Sequence, residues 1–119
     1  MKTEYLEFDD LLILANRLGL GPVVDVGALD AATARARSRV FAQDAYPTIE
    51  LKAAAVLHSL CRIPGLAWGN KRLAYAAASN FLRINGAKVV LAQEEGLELA
   101  SGAVDGRIDV RQIADVLTN

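Results

Sequence analysis

The spacing of apolar residues predicts that the first half of the chain is helical. Apolar side chains recur at a helical period between residues 8 and 18, two aspartates lie in the first turn, and Gly19 or Gly21 can end this helix. The glycine- and proline-containing residues 21–28 predict a loop. A second helix is predicted from about Leu29 to Phe41, because the pattern stays helical until the chain approaches a proline.

A third predicted helix occupies the middle of the chain. Thr48 is its expected N-cap, although the capping-box acid is missing three residues later. Residues 53–57 are apolar on every side of the helix, which is typical of a buried central helix. We therefore expect Val56 and Leu60 to be fully buried.

Three further elements follow the central helix. The fourth predicted helix runs over residues 70–85, and Gly86 ends it. A short extended piece and two terminal helices come next, the last of which begins near Asp109. The fourth helix is predicted to carry an apolar face, on which Leu73, Ala77, Phe81 and Ile84 lie together. The sequence thus predicts one all-α domain over residues 1–119, a bundle of about six short helices.

Composition and charge narrow the class of protein. The chain is rich in alanine and has 6% aromatic residues, which favours closely packed helices. A net charge of −1 provides no basic field for nucleic acid. No apolar run reaches the ~18 residues of a membrane span, no signal-peptide pattern is present, and the single Cys61 cannot form an internal disulfide. We expect a cytoplasmic protein that binds neither nucleic acid nor membrane.

One segment combines residues that suit an anion. Gly69 permits close approach to the backbone, and Asn70, Lys71 and Arg72 begin a helix whose first N–H groups are unpaired. Two cations in a first turn are unfavourable with the helix dipole, which indicates that they serve a ligand. The alternative is a tight turn followed by two solvated cations, and the spacing alone leaves both interpretations open.

Longer stretches of the chain resemble a known family. The stretches "ALDAATARARSRVFAQDAYP", "KAAAVLHSLCR", "GNKRLAYAAASNFLRING" and "ELASGAVDGRIDVRQIADVL" are similar to the death-on-curing (Doc) toxins of the Fic superfamily, from about Glu7 to Leu117. The resemblance implies an all-α Fic/Doc-type fold and an antitoxin partner. It also implies transfer of phosphate from ATP, with Mg²⁺, to a translation factor, elongation factor Tu.

The resemblance assigns an anion-binding role to one end of the family's motif. That motif is His-x-Phe-x-Asp-Gly-Asn-Lys-Arg, in which Ala can replace Gly. Its last four residues match this chain, and Arg62 matches a basic position just before it. The candidate anion- or nucleotide-binding residues are therefore Gly69, Asn70, Lys71, Arg72 and Arg62.

The departures from the motif affect the two residues that carry out its chemistry, the histidine and the acid. In the family the His is the general base and the acid helps to hold Mg²⁺, but Pro64 and Trp68 occupy these positions here. Pro64 cannot take a proton and Trp68 offers no oxygen to a metal, so no catalytic residue and no metal ligand is assigned. Leu66 replaces the Phe, and Ala76 occupies a position that is Asn in some relatives. Trp68 is expected to stack on an adenine, to plug the site or to cover core.

The remaining polar candidates are predicted to have structural roles. His58, the only histidine, is expected to pack within its helix rather than to act as a base. Asp44 and Tyr46 are expected to pack a loop, and Glu94 and Glu95 to provide capping charges.

Three functional hypotheses follow. The first is a Doc-like toxin that still transfers a phosphoryl group or a nucleotide by an altered mechanism, and its activity is expected to be weak or absent because Pro64 and Trp68 replace the motif His and acid. The second is a non-catalytic Fic-fold protein that binds an anion or a nucleotide. The third is a structural partner that holds an antitoxin-like peptide. Resemblance favours the first, and the residues of the motif favour the second.

Overall fold

The computed structural model describes residues 2–118, which form six α-helices and one small β-hairpin. The hairpin pairs β1 (Arg39–Val40) antiparallel with β2 (Gln43–Asp44). This architecture confirms the predicted all-α class. The helices are α1 (Phe8–Leu18), α2 (Val26–Ala36), α3 (Ile49–Arg62), α4 (Asn70–Ile84), α5 (Gln93–Val104) and α6 (Val110–Leu117).

Helix α3 lies at the centre of the bundle. It packs against α2, α4, α5 and α6, and every residue from 53 to 57 is buried. Val56 and Leu60 are each 1% exposed, as predicted. The helix begins where expected, because the Thr48 hydroxyl accepts a hydrogen bond from the Leu51 N–H at 3.0 Å. Alanines in α3 and α4 let the two helix backbones pack closely.

Helix α4 follows its predicted bounds, and its predicted apolar face is buried except at one end. Leu73, Ala77 and Phe81 are fully buried against the core. Ile84, in the last turn of α4, is 48% exposed.

Helix α2 begins earlier and ends earlier than predicted. Asp25 caps it, accepting from the Ala28 N–H at 3.0 Å, so the helix starts at residue 26 rather than 29. Residues 39–44 form the hairpin instead of a last helical turn, with positive φ at Phe41 and Ala42. The buried Lys52 side chain donates to Asp44 at 3.1 Å, which holds the second strand against α3.

The other helix ends agree with expectation. Gly19 ends α1 in the left-handed conformation, and Asp109 caps α6 by accepting from the Gln112 N–H at 2.9 Å. The Glu95 carboxylate accepts from the Ala92 N–H at 2.9 Å, which confirms a capping role for this acid. Within residues 2–118, none of the helices combines the length and the apolar character that crossing a membrane requires.

Candidate anion-binding site

The loop that joins α3 to α4, residues 63–69, is held along the segment that precedes α2. The Val24 N–H donates to the Gly65 carbonyl at 2.8 Å, and the Ala67 N–H donates to the Pro22 carbonyl at 2.8 Å. These bonds run in both directions between the two segments. The 63–69 loop therefore has a fixed path across the start of α4.

Two glycines let this loop pack closely. A Cβ atom on Gly65 would lie 2.7 Å from the Leu29 side chain, and one on Gly69 would lie 2.7 Å from the Leu20 side chain. Gly69 also has a φ of 89°, a conformation that L-residues rarely adopt. Glycine is therefore required at residue 69 for two independent reasons, backbone conformation and space.

The start of α4 presents unpaired donors. Among residues 2–118, no hydrogen bond engages the N–H groups of residues 69–72, and the first paired N–H is that of Leu73, to the Gly69 carbonyl at 3.0 Å. We call residues 69–72 the cradle. They line a pocket of about 340 Å³ whose walls carry two cations and no carboxylate. The pocket is lined by Cys61, Pro64, Gly69, Asn70, Lys71, Arg72 and Val104.

The side chains of the cradle differ in what they can offer a ligand. Lys71 and Arg72 are exposed and form no ion pair within the part of the chain that the structure describes. The Asn70 amide instead bonds to the backbone of Leu66, accepting from its N–H and donating to its carbonyl, both at 3.0 Å. An anion in the pocket would therefore meet the backbone of Asn70 and the charges of its two neighbours.

Arg62 lies beside the pocket rather than in its lining. Its guanidinium donates to the Val104 carbonyl at 2.6 Å, at the end of α5, where the helix dipole favours a cation. Its role in anion binding stays a prediction.

Neither replaced motif position supplies a reactive group to the pocket. Pro64 lines it with an apolar ring, and Trp68 is 56% exposed, so covering core stays a prediction for the indole. Stacking on a ligand base and plugging the site stay as predictions for Trp68. Burial raises the pKa of the Cys61 thiol to about 12, so this sulfur is neutral at physiological pH and a poor nucleophile.

The only histidine, His58, does not line the pocket and forms hydrogen-bond contacts with other residues. The Nδ1 atom of His58 lies 2.9 Å from Nη1 of Arg35. The Nε atom of the same arginine donates a hydrogen bond to the Tyr46 hydroxyl at 2.9 Å. Burial lowers the pKa of His58 below its usual value, and the charges of Arg35 and Arg62 lower it further. Because a guanidinium can only donate, the Nδ1 atom of His58 accepts from Arg35. These contacts agree with the packing roles predicted for His58 and Tyr46.

The pocket lining contains two cations, and it contains no histidine and no carboxylate. Within residues 2–118, no cluster of three or more His, Cys, Asp or Glu side chains is arranged to hold a metal ion. The far wall of the pocket, Val104, was not predicted. It comes from a helix more than 30 residues away in sequence, and no local pattern marks it. A second pocket of about 370 Å³ shares Arg72 and extends along α4 past Ser79, whose hydroxyl has no hydrogen-bond partner among the described residues.

A comparison with protein families matches the part of the chain that contains the candidate anion-binding site. The model of the Fic/DOC family matches residues 3–82, which include α3, the 63–69 loop, the cradle and most of α4. The chain is also 49% identical over 90 residues to a protein named Toxin Doc from Mycolicibacterium smegmatis. That alignment covers 73% of this chain and 68% of the relative.

Proposed function

This chain belongs to the Fic/DOC family, and we propose that it is a Doc-type toxin that binds a phosphate-bearing ligand at the cradle. One observation carries the proposal: residues 69–72, whose N–H groups have no partner among the described residues, line a pocket that contains two cations and no carboxylate. Phosphate oxygens accept hydrogen bonds from such N–H groups, and the helix dipole favours the negative charge. Arg72 would add a charge-assisted bond.

ATP is the ligand that the family resemblance implies, and its phosphates fit the donors of the cradle. Mg²⁺ does not fit in the same way. Magnesium prefers oxygen ligands, and the indole of Trp68 stands where the family's motif has its acid. We therefore propose that the phosphate group is held by backbone N–H groups and cations alone.

Transfer of phosphate to a translation factor such as elongation factor Tu is proposed to be weak or absent. No side chain in the pocket lining can take the proton of a target hydroxyl, because Pro64 is not titratable and the Cys61 thiol is protonated. Removing a general base usually costs about 10²–10⁴ in rate. Positioning of the ligand alone still contributes to rate, so a low residual activity is compatible with this site.

The family also implies a protein partner, an antitoxin, and a cytoplasmic site of action. The alternative function is that of a non-catalytic Fic-fold protein that binds an anion, a nucleotide or an antitoxin-like partner. The presence of Pro64 in the pocket favours this alternative over an altered mechanism. Expression of the chain with and without its genomic neighbour separates the two, because only an active toxin arrests growth and is rescued.

Calorimetric titration of ATP, with and without Mg²⁺, tests the proposed ligand. ATP is expected to bind, and Mg²⁺ is expected to leave its affinity nearly unchanged because no carboxylate lines the pocket. Adenosine, which lacks the phosphates, serves as the control and is expected to bind much more weakly. Absence of binding by both ATP and inorganic phosphate would contradict the proposal.

A further inference from the structure

We propose that Asn70 acts as a positioning residue, whose side chain fixes the 63–69 loop and so keeps the N–H groups of the cradle aimed into the pocket. Its amide oxygen accepts from the Leu66 N–H and its amide nitrogen donates to the Leu66 carbonyl, both at 3.0 Å. The inference rests on the proposed function, since it concerns how the same site is built.

The hydrogen-bonding capacity of the amide explains why it serves the loop rather than the ligand. An asparagine side chain has one carbonyl oxygen and one NH₂ group. Both are directed to the backbone of a single residue, Leu66, which is 3% exposed. Without Asn70 the buried Leu66 N–H would have no partner among the described residues, because the neighbouring backbone bonds use Gly65 and Ala67 instead.

We call the two hydrogen bonds between Asn70 and Leu66 the clamp. The clamp acts on the cradle because the two are adjacent in the chain. Only residues 67–69 separate Leu66 from Asn70, so two bonds across this span close a small ring of backbone. The bonds to the segment before α2 hold the loop at Gly65 and Ala67, and Asn70 holds it at Leu66. Releasing Leu66 frees the peptide planes that end in Gly69, so the N–H groups at the start of α4 are no longer held in place.

The matched control lies at the other end of the same helix. Asn85 makes the same pair of bonds to the backbone of Glu4, accepting from its N–H at 2.8 Å and donating to its carbonyl at 2.9 Å, and it also donates to the Phe81 carbonyl at 2.8 Å. Asn85→Ala therefore removes the same kinds of bonds as Asn70→Ala at a position remote from the pocket. A general loss of stability should affect both variants, whereas a change at the cradle should affect only one.

Two measurements on the full chain test the proposal. Hydrogen exchange of the Leu66 amide, followed by NMR without ligand, reports on the clamp itself. Titration with inorganic phosphate, followed by the fluorescence of Trp68, the only tryptophan, reports on the cradle. Asn70→Ala is expected to raise Leu66 exchange and to weaken phosphate binding, each by about tenfold, as expected for loss of buried hydrogen bonds. Asn85→Ala is expected to change neither quantity.

The possible outcomes are distinct. Unchanged Leu66 exchange in Asn70→Ala overturns the proposal, even if phosphate binding weakens, because Asn70 would then contact the anion directly. Faster exchange with unchanged phosphate affinity overturns it as well. If the natural protein binds no phosphate, the proposed function fails, and Leu66 exchange alone decides whether the clamp exists. Should Asn70→Ala not fold, Asn70→Asp keeps the acceptor, and its Leu66 amide must remain protected for the proposal to stand.

Discussion

Helices α3 and α4 and the loop between them are continuous in sequence but differ in what holds them. The two helices meet through side chains that are almost wholly apolar and fully buried, such as Val56, Leu60 and Leu73. The 63–69 loop is held instead by hydrogen bonds to backbone and by two glycines with no room for a side chain. Apolar packing sets the stability of the first region, and backbone geometry sets the shape of the second.

The difference supports the proposal that the molecule keeps an anion-binding site without the base and the acid of the family's motif. The pocket depends on the path of the loop and on the start of α4, and neither requires a titratable side chain. Pro64 and Trp68 therefore fit the same loop without removing the cradle. We expect changes in the helices to affect folding and changes at the cradle to affect binding, and four predictions test this separation.

The largest effect is expected in the helices. Leu60→Ala should lower the free energy of unfolding by about 2–5 kcal/mol, because it leaves a cavity beside α3. Urea unfolding followed by circular dichroism measures the loss. Ile84→Ala is the control, since that side chain is 48% exposed, and its effect should stay within about 0.5 kcal/mol. Equal losses for the two variants would contradict the central position of α3.

The second effect is expected in binding rather than in folding. Arg72→Ala should weaken the binding of inorganic phosphate by about 1–3 kcal/mol, since it removes one charge-assisted hydrogen bond. Calorimetry measures this change, and Arg83→Ala, at the far end of α4, controls for the loss of one positive charge. The same loss of affinity in both variants would indicate a general electrostatic effect and no defined contact at the cradle.

A glycine substitution should affect both regions to a smaller degree. Gly69→Ala places an alanine at positive φ, which costs about 1–2 kcal/mol of stability, and pushes against Leu20. Gly86→Ala is the control, because its φ is 79° but no atom lies within 4 Å of the added carbon. Thermal unfolding should show a loss in both variants. Only Gly69→Ala should also weaken phosphate binding, and a normal affinity in this variant would argue against the cradle.

The smallest effect concerns pH and involves His58, a residue of α3 that does not line the pocket. The pKa of His58 is lowered in the folded protein, chiefly by burial and then by Arg35 and Arg62, while Asp109 opposes the shift. The unfolded chain therefore takes up this proton more readily, so the contribution of His58 to stability is present above pH ~6.5 and is lost as the pH falls below it. Urea unfolding at pH 7.5 and 5.5 should show a smaller decrease for His58→Gln than for the natural chain. An equal decrease would remove His58 as a source of the pH dependence.

The features that the sequence could predict depend on local patterns, and those that it could not predict depend on contacts between separate parts of the chain. The apolar run around Val56 and the caps Thr48 and Asp109 are local patterns, and all three predictions are confirmed. The hairpin was missed because the apolar pattern continues past Ala36, where α2 ends, and no local pattern indicates the bond from buried Lys52 to Asp44 that holds the second strand.

The binding site shows the same limit. The cradle was recognisable from a glycine followed by cations at a helix start. The pocket wall formed by Val104 and the bonds from Asn70 to Leu66 depend on tertiary structure, and no spacing of residues indicates them.

The most direct test of the central claim is ATP-dependent transfer of labelled phosphate to elongation factor Tu. The natural chain, which has Pro64 and Trp68 at the positions of the base and the acid, is expected to transfer far less than Pro64→His combined with Trp68→Asp. Each single change should recover little and the pair more than their sum, because the two groups act in one reaction. Strong transfer by the natural chain that Arg72→Ala abolishes would contradict this account and would place the catalytic groups elsewhere in the molecule.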